Sequence, residues 1–123
     1  MFKTLIVEDN VTFRQSLKAV LDAEFPSMDI EEAGDGKEAL EKVDAFRPNL
    51  IFMDIKLPGM NGLELTKKIK SDDAGIVIII LTSYDLSEYR AAAQEYGADH
   101  FIPKGSSSRK EVLELVRLIL SNQ

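Results

Sequence analysis

Two runs, LIFM at 50–53 and IVIIIL at 76–81, are apolar at every position. A strand with one face in water alternates apolar and polar side chains, whereas a strand that is apolar throughout is covered on both faces. Around these runs the chain alternates between strand-like and helix-like patterns. TLIVE (4–8) reads as a buried strand, and residues 11–25 follow with Phe13, Leu17, Val20 and Leu21 at helical spacing. Pro26 closes that helix. MDIEEA (28–33) is a short, polar, peripheral strand. GDGKEALEKVDAF is a turn and a helix, with Ala39, Leu40 and Val43 on one face, broken by Arg47-Pro48-Asn49. LIFMD (50–54) is the third strand, and Asn61-Gly62 opens a third helix bearing Leu63, Leu65 and Ile69. IVIIILTS, rich in β-branched residues, is the fourth strand. A helix over 86–96 ends at Gly97. HFIPK (100–104) is a fifth strand, and 108–121 a fifth helix capped by Ser107 or Ser108.

Strand–helix units that follow one another without a linker predict an α/β fold with helices on both faces of a parallel sheet. The specific expectation is a flavodoxin-like (βα)5 three-layer sandwich, its five-stranded sheet in the order 2-1-3-4-5 with right-handed crossovers. At 123 residues, 45% hydrophobic and 29% charged, residues 1–123 are expected to form one domain able to build a core. The net charge of −6 and the lack of a Lys/Arg block argue against direct nucleic-acid binding. The absence of cysteine excludes disulfides, thiol chemistry and Cys-based zinc sites. The longest apolar run is too short to cross a membrane, and no signal-like segment precedes the first strand, so a cytoplasmic location is expected.

The polar residues that interrupt this pattern fall at strand ends: Glu8 and Asp9 after strand one, Asp54 after strand three, Thr82 at the end of strand four, Lys104 after strand five. In open α/β sheets the carboxyl edge is where ligands bind, at the point where strand order reverses. Strands one and three would be neighbours there, so Asp9 and Asp54 would face each other. Three carboxylates in one crevice repel one another unless a cation joins them. Lys104 supplies one positive charge, and oxygen ligands with room for waters suit Mg²⁺. A divalent cation and an ammonium together suit a phosphoryl group, with Asp54 as ligand or nucleophile and Thr82 as a hydroxyl donor. Taken singly, these residues have plainer explanations: Glu8 and Asp9 could cap the first helix, and threonine is common at strand ends.

As a set, "ED" at 8–9, "MDIKLPGMNG" around Asp54, "LTS" at 81–83 and "FIPK" at 101–104 resemble the receiver domain of two-component response regulators, over residues 3 to about 121. The resemblance implies that Asp54 is the phosphoacceptor. It implies that Glu8 and Asp9 bind Mg²⁺, joined by Asp54 and the Lys56 carbonyl. It makes Thr82 and Phe101 the switch pair and Lys104 the phosphate-contacting lysine. The implied partners are a sensor histidine kinase or a histidine phosphotransfer protein, an output domain or downstream protein, and a second copy across helix four, strand five and helix five. The protein would catalyse its own aspartyl phosphorylation and dephosphorylation rather than turn over an external substrate.

Most receivers follow the lysine with proline in a cis peptide; here Gly105 follows. Regulators with a helix-turn-helix DNA-binding output often lack that proline, so the chain resembles that branch, either as a stand-alone receiver or as part of a longer regulator. Lys56 and Tyr84, two residues after Asp54 and Thr82, would rim the site, screen it from water and slow self-dephosphorylation. Leu118, among Glu111 and Glu114, is a candidate partner contact, and His100 reads as a plain strand-edge histidine. Two enzyme readings compete. GDGKEA (34–39) fits a dinucleotide-binding loop, but Asp35 sits inside it and Glu8, Asp9 and Lys104 would be idle. A haloacid-dehalogenase-type phosphohydrolase needs an aspartate two residues after the nucleophile, where this chain has Lys56. A receiver that is never phosphorylated is the third alternative.

Overall fold

The computed structural model describes all residues 1–123. Strands β1 (Lys3–Val7), β2 (Asp29–Ala33), β3 (Leu50–Met53), β6 (Val77–Thr82) and β7 (His100–Pro103) form one sheet in the order β2-β1-β3-β6-β7. Every pairing in it is parallel. Helices α1 (Val11–Glu24), α2 (Gly36–Phe46), α3 (Gly62–Asp72) and α4 (Ser87–Glu95) make the crossovers, and α5 (Arg109–Ser121) follows the last strand. A small antiparallel hairpin, β4 (Lys56–Leu57) and β5 (Met60–Asn61), lies between β3 and α3, so the expected fourth and fifth strands are β6 and β7. The expected order 2-1-3-4-5 is therefore the observed one.

Alternation along the central strands divides the interior in two. Leu5, Val7, Ile51, Met53, Ile78 and Ile80 face α2, α3 and α4, where Ala39, Leu63, Leu65, Ile69 and Ala93 meet them. Ile6, Leu50, Phe52, Ile79 and Leu81 face α1 and α5, against Leu17, Leu21, Val112, Val116 and Ile119. Burial of each such side chain is worth about 1.5–3 kcal/mol, which is why β1, β3 and β6 tolerate no polar face. The polar strand MDIEEA is β2, at the sheet edge, as its composition requires.

Local chemistry sets the boundaries. Asn10, rather than Glu8 or Asp9, caps α1: its side chain accepts from the Phe13 N–H at 2.9 Å. Ser108 heads α5 in a full capping box with Glu111. Asp35 caps α2 through the Glu38 N–H (2.8 Å), while the Glu38 carboxylate accepts from the Gly34 N–H (2.7 Å). The donors that a dinucleotide loop would offer a pyrophosphate are thus partly taken by the chain itself. A Cβ on Gly36 would stand 2.8 Å from the Met60 Cβ, so this glycine admits the hairpin. Gly59, with φ of 76°, supplies the left-handed residue of the Pro58-Gly59 turn. Gly62 comes closer still: its added Cβ would lie 1.8 Å from the Asp54 carbonyl oxygen, so α3 starts against the end of β3.

Candidate functional site

Strands β1, β3 and β7 stop one residue short of the spans 4–8, 50–54 and 100–104 expected from sequence, at Val7, Met53 and Pro103. Glu8, Asp54 and Lys104 are therefore the first residues beyond the sheet, where the backbone turns and the side chains converge. Asp54 and Glu8 are nonetheless buried, 7% and 3% exposed. Backbone bonds hold both: the Asp54 N–H donates to the Val7 carbonyl (3.0 Å) and the Glu8 N–H to the Ala33 carbonyl (2.9 Å).

A buried carboxylate is costly unless it is paired and hydrogen-bonded. Lys104 Nζ donates to Glu8 Oε1 (2.5 Å) and lies 3.4 Å from Asp54 Oδ2. The Ile55 N–H donates to Asp54 Oδ1 (2.8 Å), and the Asn10 N–H to Glu8 Oε2 (3.1 Å). Phe13 supports the ammonium from beneath, its ring centroid 4.2 Å from Nζ. Burial pushes the Glu8 carboxyl above its ordinary value near 4.5 and the Asp54 charge adds to this, while the hydrogen bonds from Lys104 and the Asn10 N–H pull it down.

Asp9, on the exposed side, completes the cluster: oxygens of Glu8, Asp9 and Asp54 all lie within 4.8 Å of one another. One lysine against three acids leaves two negative charges uncompensated. An all-oxygen donor set with that charge deficit fits a hard divalent cation, which Mg²⁺ is.

Thr82 is fully buried at the end of β6; its Oγ1 accepts from the Tyr84 N–H (3.3 Å), and its carbonyl accepts from the Lys104 N–H (2.8 Å). Phe101 is half-buried on β7, opposite Ile80, with the Arg90 guanidinium 4.7 Å from its ring centroid. Lys56 is exposed, and its Nζ lies over two rings, 5.3 Å from Tyr84 and 5.5 Å from Tyr89, which meet edge to face. Contact with Tyr89, then with Tyr84, holds the Lys56 ammonium above its ordinary value. The Lys104–Gly105 peptide is trans. Leu118, 61% exposed, and His100 lie away from the acids on the outside of α5 and β7.

Three contacts near the site escape sequence reasoning: Tyr89 on Lys56, Arg90 on Phe101, and Arg14 on the Glu8 carbonyl. Each joins residues from different elements, and only a three-dimensional arrangement relates them. No helix is long and apolar enough to cross a membrane.

Comparison with known proteins agrees with this geometry. The model of the response regulator receiver domain matches residues 4–117. Response regulator MprA of Mycobacterium leprae is 34% identical over 118 residues, covering 96% of this chain and 50% of that protein. The chain thus spans about half the length of such curated relatives. A CheY-like receiver domain from Methanospirillum hungatei superposes with a TM-score of 0.90 at 32% identity, over 99% of this chain and 95% of that one. The response regulator TrrA of Thermotoga maritima, solved in complex with Mg²⁺ and a beryllium fluoride, superposes at 0.83 with 34% identity, over 95% and 97%. Receiver domains bind Mg²⁺ at an acidic pocket and work with histidine kinases and output domains in phosphorylation-controlled switching. The chain belongs to the receiver domain family of two-component response regulators.

Proposed function

We propose that this domain accepts a phosphoryl group on Asp54 from the phosphohistidine of a kinase or phosphotransfer protein. The observation that carries this reading is the convergence of Glu8, Asp9 and Asp54 within 4.8 Å, with Lys104 bonded to two of them at the carboxyl edge of the sheet. An Asp54 carboxylate oxygen attacks phosphorus in line with the departing imidazole. The P–N bond breaks, and its electron pair returns to the ring. Bound by Glu8, Asp9, Asp54 and the Lys56 carbonyl, Mg²⁺ would offset the charge on the phosphoryl oxygens. Lys104 stays beside the acyl phosphate as a fixed cation, already desolvated by Phe13, so little reorganisation is needed during transfer.

The product carries added negative charge and acceptor oxygens. Thr82 Oγ1, bonded at 3.3 Å to its own loop, turns towards them. Phe101 moves into the space that Thr82 leaves, and the surface of α4, β7 and α5 changes for an output domain, a downstream protein or a second copy. The phosphoryl group biases two pre-existing states rather than creating one. The domain folds as a single unit over 1–123 and works in the cytoplasm, without direct nucleic-acid contact.

Intact-mass analysis after incubation with Mg²⁺ and acetyl phosphate tests the chemistry. One added phosphoryl on the wild type and none on Asp54→Ala is the expected result. An adduct retained by Asp54→Ala would move the acceptor elsewhere. No adduct on the wild type, from acetyl phosphate or from a phosphorylated histidine kinase, would sink the proposal.

A further inference from the structure

The turn that carries Glu8 and Asp9 is braced from outside the acid cluster. Arg14, in the first turn of α1, donates from Nη1 to the Glu8 carbonyl (2.7 Å) and from Nε to Glu32 Oε1 on β2 (2.9 Å). Both side chains are largely sequestered, 16% and 30% exposed. The Glu8 carbonyl belongs to the peptide joining the two acids, so its orientation sets the direction in which Asp9 leaves the backbone. Glu8 has other anchors in Lys104 and the Asn10 N–H. Asp9 takes part in none of these bonds, so its aim depends on the backbone alone.

We infer that Arg14, held by Glu32, is a positioning residue that fixes the β1–α1 turn so that Asp9 and Glu8 present their oxygens to Mg²⁺. The inference rests on the reading of these acids as the metal site. A guanidinium suits this task because its planar fork serves two acceptors in fixed directions, which an ammonium does not. Glu32 serves a second purpose. It pairs the Arg14 charge, so that the guanidinium stays on the carbonyl and does not swing onto the carboxylates to compete with the metal. A residue that merely staples α1 to β2 would contribute to stability and leave the affinity of the folded protein for Mg²⁺ unchanged.

Calorimetric titration with MgCl₂, well below the melting temperature, separates the two roles. Arg14→Met is expected to weaken Mg²⁺ binding about tenfold, at the lower end of what loss of an outer hydrogen-bonding partner costs a metal site. Arg14→Lys keeps the charge without the fork and stays weak. Glu32→Gln keeps an oxygen for Nε but loses the charge and weakens binding less than Glu32→Ala, which loses both. Arg14→Lys and Glu32→Ala carry the test if Arg14→Met does not fold. Wild-type affinity in the Arg14 variants, with only a lowered melting point, would overturn the inference and leave the metal site intact. Absence of Mg²⁺ binding by the wild type would overturn the metal reading and this inference together.

Discussion

The site is made of residues that would each be costly alone. Glu8 and Asp54 are acids in a buried place, and Lys104 is the cation that makes their ionised forms tolerable. Their chemistry is legible in the sequence because an acid directly after an apolar strand has no packing role. Asn10 is less legible: two acids precede it, yet the shorter amide does the capping while the acids turn towards each other. The rim is where sequence and structure add to each other. Lys56 and Tyr84 are expected beside Asp54 from their spacing, and the structure joins them through a cation–ring contact that also recruits Tyr89. The proposed role of this contact is to keep bulk over the approach that an attacking water would use. Replacing both Lys56 and Tyr84 by alanine should speed loss of the phosphoryl group, followed by intact mass after removal of the donor. An unchanged or slower loss would show that the rim does not screen the acyl phosphate.

At the scale of elements, α4 is the least anchored helix by burial, with Ala93 alone fully inside. Its first turns are tethered instead by charged contacts: Lys56 reaches Tyr89 from the hairpin, and Arg90 reaches Phe101 on β7 while pairing with Asp85 at 2.5 Å. Arg90 thus holds the ring of the proposed switch residue in its half-buried position. Arg90→Ala removes an exposed cation–ring contact and should shift the Phe101 equilibrium inward, by roughly two- to fivefold. Ring signals of Phe101 by NMR, and a matching rise in the rate of phosphorylation by acetyl phosphate, would report it; a static ring would refute it. The hydrogen bond from Arg90 lowers the Asp85 carboxyl below its ordinary 3.8. A lowered acid contributes stability above its unfolded value and loses it only as pH falls through the folded one. The tether should therefore be complete from pH 8 to 5, with a constant Arg90 Nε–H signal, and release only in stronger acid. The sequence shows none of these tethers. It also hides the hairpin, since two-residue strands have no periodicity to read and only Pro58-Gly59 marks the turn.

At the scale of the whole molecule, the inner places of β3 and β6 are legible because both are apolar on both faces, while the full strand order follows only from the resemblance to receiver domains. The assignment of residues to one face or the other is less legible, since uniformly apolar strands conceal their alternation. The structure resolves it into two cores that share no residue. Ile69 lies in one and Ile119 in the other. Ile69→Val and Ile119→Val should each cost about 0.5–1.5 kcal/mol. Their double mutant should cost the sum to within about 0.5 kcal/mol in urea unfolding, as expected for sites without shared partners. A coupling well above that would mean that the sheet transmits packing strain from face to face.

Two cores that share no residue also have a consequence for descent. With additive cores, substitutions among Leu17, Leu21, Val116 and their neighbours would accumulate beneath α1 and α5 without disturbing the packing under α4 and Phe101, and the reverse would hold as well. A lineage built on this plan can rewrite one of its surfaces while inheriting the other unchanged, and the acids at the strand ends, fixed to the backbone of the shared layer, are common property of both.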